Sequence, residues 1–333
     1  MFSVCAGRHV SIIVEWDNSS HTELGRSRTM LKIVAEQTAD YLKRSGAAVQ
    51  LILAYDKADA SEAEIFQIVQ STWGNVLAQV EFLSLPLPGS SYYIQKNLGA
   101  QCATGDIVVY VDCDVLPQPH WLEHLLQPFD NPSVGVSQGV TYVEPHSTWH
   151  TGLAMAWLFP LQLSNGALTE QHKIVANNVA FRREVIRQYP YPELPTWRGQ
   201  CTEQRKLCEQ HGIGVHWSEH ARVNHPFPLG LFGVIERAFL NGHDHATRDL
   251  LAGKTAHPWR TAYWRFVSLL RRARRRRQLM ANEFPMSRWH QFAYEATALL
   301  YWGCGLLSEC MVLACPRMWR RCLSDLPAKS HEI

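Results

Sequence analysis

Short apolar runs alternate with helical periodicities through the first two-thirds of this chain. Residues 9–16 (HVSIIVEW), 48–55 (AVQLILAY), 75–85 (NVLAQVEFLSL) and 105–114 (GDIVVYVDCD) are nearly continuous apolar runs, which predict buried strands. Between them, 28–44, 61–72 and 91–103 carry the pattern of amphipathic helices. Alternation of this kind, with β-branched runs that do not alternate with polar residues, predicts a parallel sheet covered on both faces. Further along, the pattern predicts a helix over 118–128, a strand over 134–143, a helix over 149–163 and a strand over 173–183. A polar helix over 201–211 and two short strands, GVHW and ARVNH, follow. From about residue 230 the pattern is wholly helical. PFPLG at 226–230 punctuates the chain and places a boundary near 226.

The chain has 333 residues, 46% apolar and 19% charged, enough for one large α/β domain or two modest ones. A net charge of +2 gives no global field pointing to nucleic acid. One segment departs from this balance: RRARRRR at 271–277 puts six arginines in seven positions. The nine cysteines show no zinc-finger spacing, and no leader precedes the first strand, so a reduced, cytoplasmic setting is expected.

The chemistry gathers where the fourth predicted strand ends, in VVYVDCDVLPQPHW. In open α/β sheets ligands collect at the carboxyl ends of strands. Side chains two apart on a strand share a face, so Asp112 and Asp114 converge and Cys113 faces away. Two such carboxylates repel, and a divalent cation compensates them; oxygen ligands favour Mg²⁺ or Mn²⁺ over zinc. The competing reading is an Asx-type turn, with Asp114 capping the next helix.

KNLGAQCATGDIVVYVDCDVLPQPHWLEHLLQPF (96–129) resembles the core signature of family 2 glycosyltransferases of the GT-A fold: a Lys-Asn-x-Gly helix, a Thr-Gly-Asp turn, an apolar strand and an aspartate cluster. The resemblance covers roughly residues 9–225. It implies a nucleotide-sugar donor (a UDP- or GDP-sugar) whose diphosphate is bridged by Mn²⁺ or Mg²⁺. By carry-over Asp114 is the direct metal ligand, Asp112 contacts the ribose or the metal's water shell, and His225 is a third metal ligand. Asn18 falls in the loop that cups the base, although Glu15 and Asp17 depart from the family's usual residues there. Asp56 takes a base-contacting slot, Lys96 neutralises the diphosphate, and Asn178 and Arg182 edge the sugar pocket, with Asn177 satisfying backbone groups. The family's catalytic Glu-Asp falls on Gln200 and Cys201, neither of which is a carboxylate base. Glu203, two residues on, is the remaining candidate base, against the alternative of a carboxylate that complements a helix dipole.

Residues 297–315 are apolar except for Glu309, long enough to approach a membrane span, and arginines at 317, 320 and 321 follow. With the arginine run, this predicts helices lying in or partly crossing a bilayer at an anionic surface; a soluble helical subdomain is the alternative.

The expected fold is α/β: a GT-A, Rossmann-like, mostly parallel twisted sheet over 1–225 (nucleotide-sugar half 1–115, acceptor half 116–225). A helical, membrane-associated region follows over 226–333. The expected function is a metal-dependent, inverting glycosyltransferase acting on a carbohydrate, lipid-linked or other hydroxyl acceptor, with no nucleic-acid partner. The alternative is a catalytically silent GT-A domain that binds glycans or partners. A sugar nucleotidyltransferase is disfavoured, because EWDNSS lacks the glycine-rich basic loop such an enzyme needs after its first strand.

Overall fold

The computed structural model describes residues 7–21, 23–89, 91–157, 159–169, 174–253, 258–284 and 287–315. The amino-terminal half follows the expected alternation: β1 (Val10–Glu15), α1 (Leu24–Ser45), β2 (Val49–Tyr55), α2 (Glu62–Trp73), β3 (Glu81–Pro86), α3 (Tyr92–Cys102) and β4 (Ile107–Asp112). Local signals set several boundaries. Gly46 ends α1 in the left-handed region (φ 64°), and its N–H returns to Leu42 O. Ser61 and Glu64 form a reciprocal capping box at the start of α2. Gly74 (φ 49°) ends α2, and residues 74–79 coil into a 3₁₀ turn, so the predicted strand at 75–85 begins only at Glu81.

The second half contains β5 (Leu116–Pro117), α4 (Trp121–Leu126), β6 (Val134–Tyr142), α5 (Thr148–Ala156), β7 (Asn178–Arg182), α6 (Arg183–Gln188), α7 (Gln200–Gln210) and β8 (Gly214–Asn224). α5 is shorter than the apolar pattern suggests: it ends at Ala156, and Trp157 is already extended. The two short predicted strands are one strand, β8, kept in one sheet by a register shift against β6.

All eight strands form one sheet in the order β3-β2-β1-β4-β7-β6-β8-β5. It is mixed. The β3-β2-β1-β4 half is parallel, β7 runs antiparallel to both β4 and β6, β6 and β8 are parallel, and β5 closes the edge antiparallel. One core fills the face under α1, α2 and α4 with Val10, Ile12, Val14, Val109 and Val111. A second fills the opposite face with Ile13, Ile52, Val108, Tyr110 and Phe181.

The chain continues as α8 (Gly230–Leu251), α9 (Pro258–Met280) and α10 (Arg288–Ala314), which build a third core against α5. α8 and α10 run parallel and nearly touch: a Cβ at Gly242 would collide with Gly305 O, and Ser308 Oγ donates to Phe239 O at 2.7 Å. α9 runs the other way. Arg265 near its start joins Asp249 and Glu309, late in α8 and α10, while Arg277 near its end pairs with Glu295, early in α10. Arg276, inside the arginine run, is fully buried and donates to Ala154 O, Trp157 O and Phe159 O at the carboxyl end of α5. This residue is a helix cap, not part of a solvated cationic face.

One face of α10 is buried through Tyr294, Thr297, Ala298, Tyr301 and Trp302. Helix 288–314 is long and apolar enough to cross a membrane by length and composition. The arginines at 317, 320 and 321 lie outside the described residues.

Candidate functional site

The parallel half of the sheet brings Glu15 and Asp112 side by side at the carboxyl ends of β1 and β4. Burial alone would drive both carboxyls neutral. α3 supplies the counter-charge: Lys96, fully buried, donates from Nζ to Asp112 Oδ1 at 2.7 Å. Tyr92 Oη donates to both Asp112 oxygens at 2.9 Å. Asn18, in the 3₁₀ turn after β1, donates to Glu15 Oε1 at 2.7 Å and lies 3.5 Å from Asp112 Oδ2. Burial, and then the charge of Asp112, pushes the Glu15 carboxyl well above the usual carboxylate range. Burial also raises Asp112, opposed by Lys96.

β4 stops at Asp112, so strand alternation does not carry on to Asp114; the Cys113–Asp114 turn places that side chain. Asp114 is buried, and its Oδ1 has no hydrogen-bond partner among the described residues. Its Oδ2 stands 3.9 Å from His225 Nε2. His225 follows β8, and its Nδ1 lies 2.6 Å from Pro226 O. Burial, aided by Arg237, lowers the His225 imidazole to about 3, so the ring is neutral at physiological pH. Burial raises Asp114 to about 6 despite the fields of Arg237 and Arg26. Arg26 pins the turn by donating to Asp114 O and to Asn224 O and Oδ1.

Of these groups Asn18, Tyr92, Asp112 and His225 border a cavity of about 980 Å³, with Asn177 on the same side. The loop 191–199, the start of α7, and α8 residues from Arg237 to Arg248 form the other side. Gln200 and Cys201 line it. Gln200 Nε2 donates to Thr196 O at 2.8 Å, and the Cys201 thiol lies 3.3 Å from Tyr93 Oη, raised by burial. α8 is latched to this loop by Asp244, which accepts from Trp197 N at 3.4 Å and Arg198 N at 2.9 Å.

Three predicted site residues are placed elsewhere. Asn178 lies fully buried in the sheet, accepting from Trp121 Nε1 at 2.7 Å and donating to Val140 O and Ala221 O. It holds strands together and does not edge a sugar pocket; its neighbour Asn177 reaches the cavity and accepts from Thr141 Oγ1. Arg182 pairs in register with Ile107, the amino end of β4, and donates to Val134 O, Phe129 O and Asn131 O at the far edge. Glu203 faces outward and pairs with Lys206 at 2.7 Å. Lys96 is committed to Asp112, so it acts on a ligand only through that carboxylate. Asp56 sits at the carboxyl end of β2 as an Asx turn, its Oδ1 accepting from Ala58 N at 2.8 Å. Sequence reasoning missed Tyr92, Arg26, Arg198 and Arg237. Tyr92 had a signal: it lies one helical turn before Lys96 on the same face.

Residues 80–189 match the family model described as Glycosyl transferase family 2. A curated relative, the glucosyl-dolichyl phosphate glucuronosyltransferase of Haloferax volcanii, is 26% identical over 209 residues, 58% of this chain. The match spans 66% of that relative's length, just under two-thirds. Among solved structures, a mannosyltransferase from Pyrobaculum calidifontis in complex with GDP-Man and Mn²⁺ superposes with a TM-score of 0.56 at 14% identity, covering 95% of this chain and 89% of that one. At that identity the likeness speaks for the GT-A fold.

Proposed function

We propose that the protein, whose residues 80–189 match the family 2 glycosyl transferase model, transfers a sugar, with inversion, from a nucleoside-diphosphate donor to an acceptor at a membrane surface. The observation that carries this reading is the pair Asp114 and His225: a buried carboxylate oxygen without a partner beside a neutral imidazole, at the carboxyl end of β4. A carboxylate and a neutral imidazole are a donor set that Mn²⁺ or Mg²⁺ accepts. Among the described residues no three His, Cys, Asp or Glu side chains form a metal cluster. Asp114 and His225 would hold the cation from the protein side, leaving room for the donor's phosphate oxygens. The bound cation would neutralise charge growing on the departing diphosphate.

The chain's own groups do the rest. Asp112, aligned by Lys96 and Tyr92, would present a fixed carboxylate to the ribose, and Asn18 and the turn at Asp56 would flank the base. The accepting oxygen forms a bond to the anomeric carbon from the face opposite the leaving phosphate, and the anomeric C–O bond breaks as the nucleoside diphosphate departs.

Membrane association draws support from the joined amino ends of α8 and α10. Phe232 is 78% exposed and Trp289 81%, with Leu229, Leu231 and Phe292 also exposed. The second half of α9, with Arg271, Arg274 and Arg275 exposed, comes to the same end. Such a surface lies on an anionic bilayer. The packed face of α10 supports lying on the membrane over crossing it. The Haloferax volcanii relative is named for a dolichyl-phosphate-linked substrate, which supports a lipid-linked acceptor.

The test is turnover of UDP- and GDP-sugars with and without Mn²⁺. Cation-dependent release of nucleoside diphosphate is expected, and its absence for every donor rejects the reading. Gln200 and Cys201 in place of carboxylates favour a second reading, a silent binding module. Donor binding without any turnover would select it.

A further inference from the structure

Among the described residues that reach the cavity, the carboxylates are Asp112, Glu193 and Asp244. None is placed to take a proton from an acceptor. Asp112 is held by Lys96 and Tyr92. Asp244 accepts from two backbone N–H groups and sits 3.1 Å from His243 Nδ1. Glu193 is exposed in the loop before α7. Of the histidines, His225 stands against Asp114 and Pro226 O, His243 Nε2 lies 3.2 Å from Thr247 Oγ1, and the exposed His245 turns its Nδ1 to Arg248 Nη2 at 3.0 Å.

The same cavity is rich in cations. Arg198, Arg237 and Arg248 all border it, and none has a carboxylate within ion-pair distance among the described residues. Arg198 is aimed by neutral partners: its guanidinium donates to Asn241 Oδ1, and Asn241 Nδ2 in turn donates to Tyr301 Oη. Arg237 Nε has no hydrogen-bond partner. Arg198 stands two residues before Gln200, in the loop that leads into the missing base's slot. A hydroxyl nucleophile needs a base at that slot. A phosphate oxygen is already ionised at neutral pH and needs a cation there instead.

We propose that the accepting group is a phosphate monoester, held by Arg198 and Arg237, whose oxygen attacks the sugar directly. This rests on the glycosyltransferase reading and narrows its acceptor. In the step, a phosphate oxygen bonds to the anomeric carbon, the bond from that carbon to the nucleoside diphosphate breaks, and no proton is removed from the attacking dianion. The product is a sugar phosphodiester. The monoester is carried either by a polyprenol in the bilayer or by a soluble metabolite, and the same chemistry serves both.

The experiment uses the full chain with Mn²⁺ and a donor that it hydrolyses. Acceptors are citronellyl phosphate in detergent micelles, glucose 6-phosphate in solution, and the matching alcohols, citronellol and glucose. Transfer to a phosphate and not to its alcohol is expected; the phosphate that works identifies the carrier as lipid or soluble. Arg198→Gln should raise the KM for that phosphate about tenfold or more and the donor's KM far less, as loss of one charge-assisted contact implies, with Arg198→Lys partly restoring it. Transfer to the alcohol as readily as to the phosphate overturns the proposal. So does donor turnover with no product on either phosphate, or an equal rise in both KM values. Failure of the glycosyltransferase reading looks different, because no donor is then turned over at all.

Discussion

Lys96 Nζ and Asp112 Oδ1 lie 2.7 Å apart with both side chains withdrawn from water, and a second carboxyl, Glu15, stands next to Asp112 in the neighbouring strand. One ammonium therefore serves two acids. Breaking a buried pair by removing one partner costs about 3–5 kcal/mol. Lys96→Met should destabilise the protein by that amount in urea unfolding, and a loss under 1 kcal/mol would show that the acids are balanced some other way.

Asp114 carries an opposite sign. Its carboxyl is raised from 3.8 to about 6 by burial, so the folded metal-free protein binds more protons than the unfolded chain between those two values. Stability without metal should rise as pH falls from 7 toward 4, by up to about 3 kcal/mol from this group. Asp114→Asn should stabilise the metal-free protein at pH 7 while removing Mn²⁺-dependent turnover. Mn²⁺ affinity in the wild type, measured by titration with nucleoside diphosphate present, should hold above pH 6 and weaken below it as the proton competes. A flat profile between pH 5 and 7 would show that Asp114 is not a ligand.

Glu203 and Cys201 should both prove dispensable. Glu203 shares an exposed ion pair with Lys206, an interaction worth about 0–1 kcal/mol. Burial keeps the Cys201 thiol protonated at neutral pH. Glu203→Gln and Cys201→Ala should each leave kcat/KM within about threefold of wild type, a change under 1 kcal/mol in the barrier. A hundredfold loss in either variant would restore a base or nucleophile at α7.

Arg276 and its neighbours in the arginine run should separate cleanly. Arg276→Ala removes the donors to three carbonyls at the end of α5 and should cost about 3 kcal/mol or more, with Lys a poor replacement for the planar guanidinium. Arg274→Ala, on the exposed side, should change stability by under about 0.5 kcal/mol. Equal effects in the two would contradict the capping role.

The exposed arginines matter elsewhere. At about 1 kcal/mol per charge, Arg271, Arg274 and Arg275 all changed to Gln should weaken binding to phosphatidylserine vesicles about a hundredfold at physiological salt. Co-sedimentation reads this directly, and wild-type protein left in the supernatant at every salt concentration would remove the membrane from the picture.

The sequence carried the parallel half of the sheet, because buried strands of Val, Ile and Leu bounded by capping residues leave few other arrangements. It did not carry the antiparallel insertion of β7 between β4 and β6, since the pattern of a run does not encode its direction. The same limit misplaced Arg182, which ends beside Ile107 at the far end of β4; Asn178 does sit at the aspartate end, opposite Val111, but turns its side chain to Trp121, and of these residues Asn177 reaches the cavity. Asp112 and Asp114 were legible as a motif, but their convergence was ascribed to strand alternation when a turn produces it. Lys96 was recognised but its pairing with Asp112 was not, because a helix face does not reveal how deep it sits. Arg198 and Arg237 were invisible, being brought to the aspartates by chain far away in sequence.

Asp244 has a consequence for how this protein can be handled. It fastens α8 to the backbone of Trp197 and Arg198, so the carboxy-terminal helices complete the reaction chamber and are not an appendage to it. Cropping the gene near codon 226 would therefore deliver a half-walled vessel, open where α8 stood and stripped of Arg237. The smallest working unit must extend through α10.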